Sequence, residues 1–247
     1  MGRRAAWLAV LLVSLATVET ASAAVLVGGE GPQRSTAAAP VTALATPAAP
    51  NAYLAARATG PSVAVYPTAD ATKPVADLAN PTAEGFPLTF SVVGRQGGRV
   101  LVRLPQRPNG TTAWVDAAEV TTWTVPSKIT VDLSDRELTV TRGEEVVMQE
   151  KVAVGKPATP TPMGDFYVDI SLPAPGHPYG AHMLRVAAFS DVLFDFGGGI
   201  GQIAIHGWED PSVTGKAVSN GCLRLSNPVV TRLAELASVG TPVEIRA

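Results

Sequence analysis

Beyond Pro61, apolar residues recur at every second position, and stretches rich in proline or glycine stop each run before it lengthens. Val100, Val102 and Leu104 share one side of an extended segment, with Leu101 and Arg103 on the other. The same alternation returns at Ile129, Val131 and Leu133, at Leu138 and Val140, at Phe166, Val168 and Ile170, and at Ile203 and Ile205. A period of two sends alternate side chains to opposite faces of a strand, so these runs predict a mostly β chain of short strands. They also place His206 at a strand end, opposite the apolar row of Ile203 and Ile205. One or two short helices are expected. The clearest follows Ser226 and Asn227 as capping residues, with Pro228 in its first turn, Leu233 and Leu236 facing inward, and Gly240 as its stop.

Punctuation and composition divide the chain. Arg3 and Arg4, the apolar run Ala5 to Val18 and the small residues Ala21, Ser22 and Ala23 read as a secretory signal over residues 1–23, too short to span a bilayer. The expected compartment is therefore extracytoplasmic, with no integral membrane span. Residues 24–57, rich in Ala, Pro and Thr, contain too little apolar bulk to offset ordering entropy and are expected to form a flexible linker. Residues 58–124 read as a small β block with a hairpin across GRQGG and a turn at PQRPNG. Residues 127–247 form a second block. It opens as a β-meander, continues with a strand carrying Val152 and Val154, and holds Pro/Gly-rich loops at 155–166 and 172–180, the latter a candidate cleft rim. A net charge of −2 with 16% charged residues provides no basic field, so nucleic acid is not an expected partner.

The chemistry concentrates between Ile205 and Leu225, IHGWEDPSVTGKAVSNGCLRL, which contains the single cysteine and one of three histidines. An unpartnered thiol in an exported chain is a candidate nucleophile. It attacks carbonyls as thiolate and needs a base, for which His206 is the candidate, brought to Cys222 by the intervening loop. Gly221 allows a sharp turn that presents the sulfur and leaves backbone N–H groups to hold an oxyanion. Arg224 offers a planar guanidinium for a carboxylate. Tyr179, in the rim, is a candidate for stacking or hydrogen bonding with substrate. His177 and His182 read as ordinary loop residues, and no ligand spacing argues for a metal.

His206-Gly207 followed by Ser219-Asn220-Gly221-Cys222-Leu223-Arg224 resembles the catalytic signature of the L,D-transpeptidase (YkuD-like) family. ITVDLSDRELTV, VAVGK, TPTPMGDFYV and GTPVEI match the family in order. VRLPQRPNGTTAWV gives the preceding block its similarity to a bacterial SH3-type barrel. The resemblance implies an SH3-like barrel followed by a β-sandwich-like catalytic domain. It implies Cys222 as nucleophile, His206 as base, the backbone carbonyl of Gly207 as the group orienting the imidazole, and Ser219, Gly221 and Arg224 as the loop shaping the oxyanion and substrate site. Glu209 and Asp210 are rival orienting groups. Asn220 stands where family members often have histidine, so the base role falls on His206, with the Asn220 amide left to brace the loop. The implied activity is 3→3 cross-linking of peptidoglycan stem peptides through a thioester, without a cofactor, with carbapenems as inhibitors and glycan strands as possible ligands of the SH3-like block. A hydrolytic carboxypeptidase and a non-catalytic wall-binding scaffold are the alternatives.

Overall fold

The computed structural model describes residues 52–195 and 199–247. The expected signal and most of the expected linker lie outside them. The first block is built from Tyr53–Ala58 (β1), Ser62–Val65 (β2), Ala76–Ala79 (β3), Thr89–Gln96 (β4), Arg99–Arg103 (β5), Thr112–Asp116 (β6) and Val120–Val125 (β7). Five strands form an antiparallel sheet in the order β6-β5-β4-β1-β7, while β2 and β3 pair as a hairpin. The expected β4–β5 hairpin is present, with Gly97 at φ 57 in its turn. Ala56, Val63, Phe90, Val100, Val102 and Val115, all fully buried, form this block's own core.

The linker expectation is corrected at its C-terminal end. Residues 53–57 belong to β1, a central strand paired with both β4 and β7. Ala55 and Ala56, on its two faces, are both fully buried. Alanine at those positions looks like linker composition but permits close approach. Gly240, read from sequence as a helix stop, lies against Ala55 with φ 91, and a Cβ there would collide with the Ala55 methyl.

The second block contains Ser127–Asp132 (β8), Glu137–Arg142 (β9), Glu145–Lys151 (β10), Val154–Gly155 (β11), Gly164–His177 (β12), Gly180–Phe189 (β13), Gln202–Trp208 (β14), Ala217–Ser219 (β15), Leu223–Ser226 (β16), a helix Asn227–Leu236 (α1) and Pro242–Arg246 (β17). Eight strands make one mixed sheet, β10-β9-β8-β17-β12-β13-β14-β16. β17 enters between β8, which it parallels, and β12. Every strand of this sheet, together with α1, contributes to a single buried cluster, so the sheet curls around its own apolar face.

Three local expectations change. Val152 and Val154 do not share a strand: β10 ends at Lys151, and Val154 opens the short β11, parallel to β15. Residues 172–180 are not an irregular loop, because β12 and β13 continue as a hairpin to the pair His177↔Gly180, whose tip residues Pro178 and Tyr179 line the cleft. Its register shifts between Val168 and Ile170 and again beyond Pro173, where proline cannot donate to the ladder. α1 ends at Leu236, before Gly240, and the Ser226 side chain makes no capping bond. Among the described residues, no helix is long and apolar enough to cross a membrane.

Candidate active site

Strand parity assembles the site. Leu184 and Val186 of β13, Ile203 and Ile205 of β14, and Leu223 and Leu225 of β16 all enter the core. Met183 and Arg185, Ala204 and His206, and Cys222 and Arg224 must then face the opposite side. Register aligns Met183 with His206 and His206 with Arg224, and aligns Arg185 with Ala204. Cys222 stands one residue before β16, on the level of Ala204, diagonal to His206 across adjacent strands. Both side chains line one open cleft of about 470 Å³ with Arg224, Asn220, Tyr179 and Trp208.

His206 is 2% exposed, and its Nδ1 lies 2.8 Å from the carbonyl oxygen of Gly207. A carbonyl only accepts, so this contact requires Nδ1–H and makes Nε2 the basic nitrogen of the neutral ring. Of the two rival orienting groups, Glu209 is exposed and Asp210 accepts from the amide and hydroxyl of Ser212. Tyr179 and Trp208 flank the imidazole edge-on at 5.0 and 6.0 Å between ring centroids. Gly207 is required by packing: a Cβ would run into Asn227 Oδ1. That oxygen accepts from the Ala181 amide at 2.8 Å, so Asn227 ties the start of α1 to β13 behind the histidine.

The nucleophile turn is held from inside. Ser219, fully buried, donates its hydroxyl to the Cys222 carbonyl at 2.5 Å and accepts from the Gly221 amide at 3.1 Å. The Gly221 N–H is therefore engaged within the turn. Gly221 has φ 114, a conformation that disfavours side chains. The 155–161 loop supplies further bracing. Thr161 donates to the Gly221 carbonyl at 2.8 Å, and Lys156 reaches Asn220 Oδ1 at 2.8 Å. Replacing Ser219 by alanine is expected to cost about 2 kcal/mol, because it strands a buried N–H and a carbonyl together. Urea unfolding midpoints measure it, and a change below about 0.5 kcal/mol would contradict this bracing role.

Cys222 is half-buried in the cleft wall. Burial pushes its thiol above the ordinary range, while the Ala204 amide and the Arg224 guanidinium pull it back. Arg224 lies over the Trp208 ring, 3.8 Å from its centroid, and its Nε is buried without a hydrogen-bond partner. His182 pairs with Ser171 at 3.0 Å.

Sequence reasoning missed Trp208, Thr161, Lys156 and the part played by the first block. The PQRPNG turn docks onto the segment beside the cleft. Arg107 donates to the carbonyls of Ile200 and Ser190, both at 2.8 Å, and of Leu193 at 3.2 Å. Asn109 exchanges two hydrogen bonds with the Phe189 backbone, at 2.7 and 2.9 Å. Ser190, Leu193 and Ile200 line the cleft, so this wall is held by side chains from the preceding block.

A thiol, an imidazole with a basic Nε2 and a guanidinium on one face of an open cleft can support nucleophilic acyl transfer. The YkuD family, the L,D-transpeptidase catalytic domain, matches residues 126–245. The YkuD protein of Bacillus licheniformis is 37% identical over 122 residues, 49% of this chain and 67% of that protein. The YkuD protein of Bacillus subtilis is 35% identical over 123 residues, 50% and 68%. Among solved structures, the catalytic domain of the E. faecium L,D-transpeptidase is 25% identical, with 49% of this chain and 96% of that one covered and a TM-score of 0.37. This chain belongs to the L,D-transpeptidase catalytic-domain family.

Proposed function

We propose that this chain is an exported peptidoglycan L,D-transpeptidase that forms 3→3 cross-links through a Cys222 thioester. The observation that carries the reading is the placement of Cys222 and His206 on adjacent strands of one open cleft, with Gly207 fixing the imidazole tautomer. The donor is a tetrapeptide stem. The sulfur attacks the carbonyl of its third residue as His206 Nε2 takes the thiol proton. The C–N bond to the terminal D-Ala then breaks, and the imidazolium protonates the departing amine. The thioester keeps the acyl group activated, so no ATP is consumed. An amine on a neighbouring stem attacks the thioester, gives its proton to His206 and expels the sulfur. Arg224 faces the cleft as a seat for a substrate carboxylate, Tyr179 and Trp208 flank the reacting carbon, and Asn220 and Ser219 hold the turn. No cofactor enters these steps.

Intact-mass measurement after incubation with a carbapenem or a tetrapeptide stem tests the reading. The expected product is an adduct on Cys222, and a cross-linked dimer when acceptor amine is supplied. A shortened stem alone would indicate a hydrolase, and no adduct would remove the nucleophile assignment.

The buried thiol adds a pH signature. Because burial holds Cys222 mainly as thiol near neutrality, alkylation by iodoacetamide is expected to accelerate with rising pH and still be climbing above pH 9. A rate that levels off below pH 8 would show a thiolate stabilised well beyond what the Ala204 amide and Arg224 provide.

A further inference from the structure

The cleft that holds Cys222 is also lined by Glu84, which lies between β3 and β4 in the first block. Its side chain is 49% exposed, and Arg185 Nη1 lies 3.7 Å away. That guanidinium already has a partner: Nε and Nη2 grip Asp169 at 2.9 to 3.1 Å, and Gln202 donates to the same carboxylate at 3.0 Å. Asp169 therefore receives only donors, which suits a carboxylate and leaves no acceptor for a carboxylic proton. Arg185 is balanced by Asp169, and the Glu84 charge is left in excess. The Thr82 hydroxyl, first, and Arg185 hold the Glu84 carboxyl below the ordinary range, so it is ionised at neutral pH. The Arg107 guanidinium nearby is turned onto three backbone carbonyls.

Position gives this charge a meaning. Arg185 is level with Ala204, and hence with Cys222, across two strand spacings, roughly 10 Å. Arg224 lies one side-chain step along the strand from the thiol, on the level of His206. The cleft thus presents a carboxylate across the sheet from the sulfur and a guanidinium along the strand beside it. A ligand complementary to both is zwitterionic, with its carboxylate toward Arg224 and an ammonium on a long side chain toward Glu84. We propose that Glu84 makes the first block part of the substrate site, selecting donor peptides whose attacked residue carries a free side-chain ammonium. This inference rests on the transpeptidase reading and adds a specificity residue from outside the family-matched region, residues 126–245. It also gives the Arg107 and Asn109 clamp a purpose, since a recognition group in another block works only if that block is fixed to the cleft.

The test uses the full chain with Cys222→Ala, so that bound peptide is not consumed. Affinities are measured by calorimetry for a tetrapeptide stem with a free side-chain amine and for the same peptide acetylated there. With Glu84 present, the free amine is expected to bind about fivefold more tightly, as for a half-exposed ion pair. Glu84→Gln should bring the ratio close to one, and Glu84→Lys should invert it. In parallel, Glu84→Gln and Glu84→Lys in the Cys222-containing chain are expected to acylate with a carbapenem at the wild-type rate within about twofold, since that reaction needs no ammonium. A preference that survives both substitutions, or its absence with Glu84 in place, overturns the proposal while leaving the transpeptidase reading intact. Loss of acylation in the Glu84 variants overturns it too, by showing that Glu84 shapes the reactive centre instead. Failure of the wild-type chain both to acylate and to bind either peptide brings down the transpeptidase reading itself.

Discussion

Replacing Cys222 by alanine is expected to abolish adduct formation and cross-linking, with a loss of at least about 10⁴-fold, while the fold survives. The two halves of this expectation have different physical origins. The chemical half is large because a hydroxyl is a poorer nucleophile than a thiol: Ser190, which lines the cleft, is 1% exposed and accepts from the Val192 and Leu193 amides, and Ser219 is fully buried with its hydroxyl committed to the Cys222 carbonyl and the Gly221 amide. The structural half is small because the sulfur sits half-buried in the cleft wall, outside the apolar cluster that Leu223 and Leu225 enter. Removing it leaves an opening toward solvent and no sealed cavity, so the stability change should stay within about 1 kcal/mol. Turnover of a tetrapeptide stem and urea unfolding, measured on the same preparation, check both. A variant that keeps one hundredth of the activity would move the nucleophile elsewhere. A variant that unfolds would make Cys222 a packing residue first.

The residues that carry this expectation were legible in the sequence because their signal is local. The S-x-G-C turn and the HG dipeptide are short strings, and the alternation of Ile203 and Ile205 placed His206 on the face opposite the core. The meander strands were legible for the same reason, since a half-buried strand shows its period. What escaped was decided by partners distant in the chain. β1 is written in alanines because β4, β7 and Gly240 approach it closely, and such packing looks like linker composition. The insertion of β17 between β8 and β12 leaves no trace in TPVEI, because parallel and antiparallel neighbours ask for the same alternation. Residues 172–180 have loop composition, yet the hairpin absorbs Pro173 and Pro175 where its register shifts. Trp208 follows the HG dipeptide directly, and an aromatic two residues from a candidate base was a usable signal for a cleft wall. Glu84, Arg107 and Asn109 offered none, because each is an ordinary turn residue until the two blocks dock.

That docking contains a charge pair whose removal is expected to be the most damaging single change to stability. Asp169 is 6% exposed, and the Arg185 side chain is 17% exposed. Burial pushes the Asp169 carboxyl up from the usual carboxylate range, opposed by Arg185 and Gln202. A carboxyl raised on folding favours the native state in full below its unfolded value and loses that contribution as pH rises through its folded value. The ionised pair is therefore not expected to be a net source of stability at neutral pH, where desolvation cancels much of the attraction. Breaking it is another matter. Asp169→Leu leaves Arg185 with Glu84 at 3.7 Å as its remaining carboxylate and Gln202 with only the Val186 carbonyl to accept from it, at an expected cost of about 3 kcal/mol. Removing both charges, as Asp169→Leu with Arg185→Met, is expected to recover at least half of that loss. Urea midpoints for the wild type, both single variants and the double variant give the coupling directly. A single variant costing less than 1 kcal/mol, or a double variant as unstable as the worse single, would refute this account. The same cycle bears on specificity: with Asp169 gone, Arg185 turns its charge to Glu84, and the preference for a free ammonium should fall in step with stability.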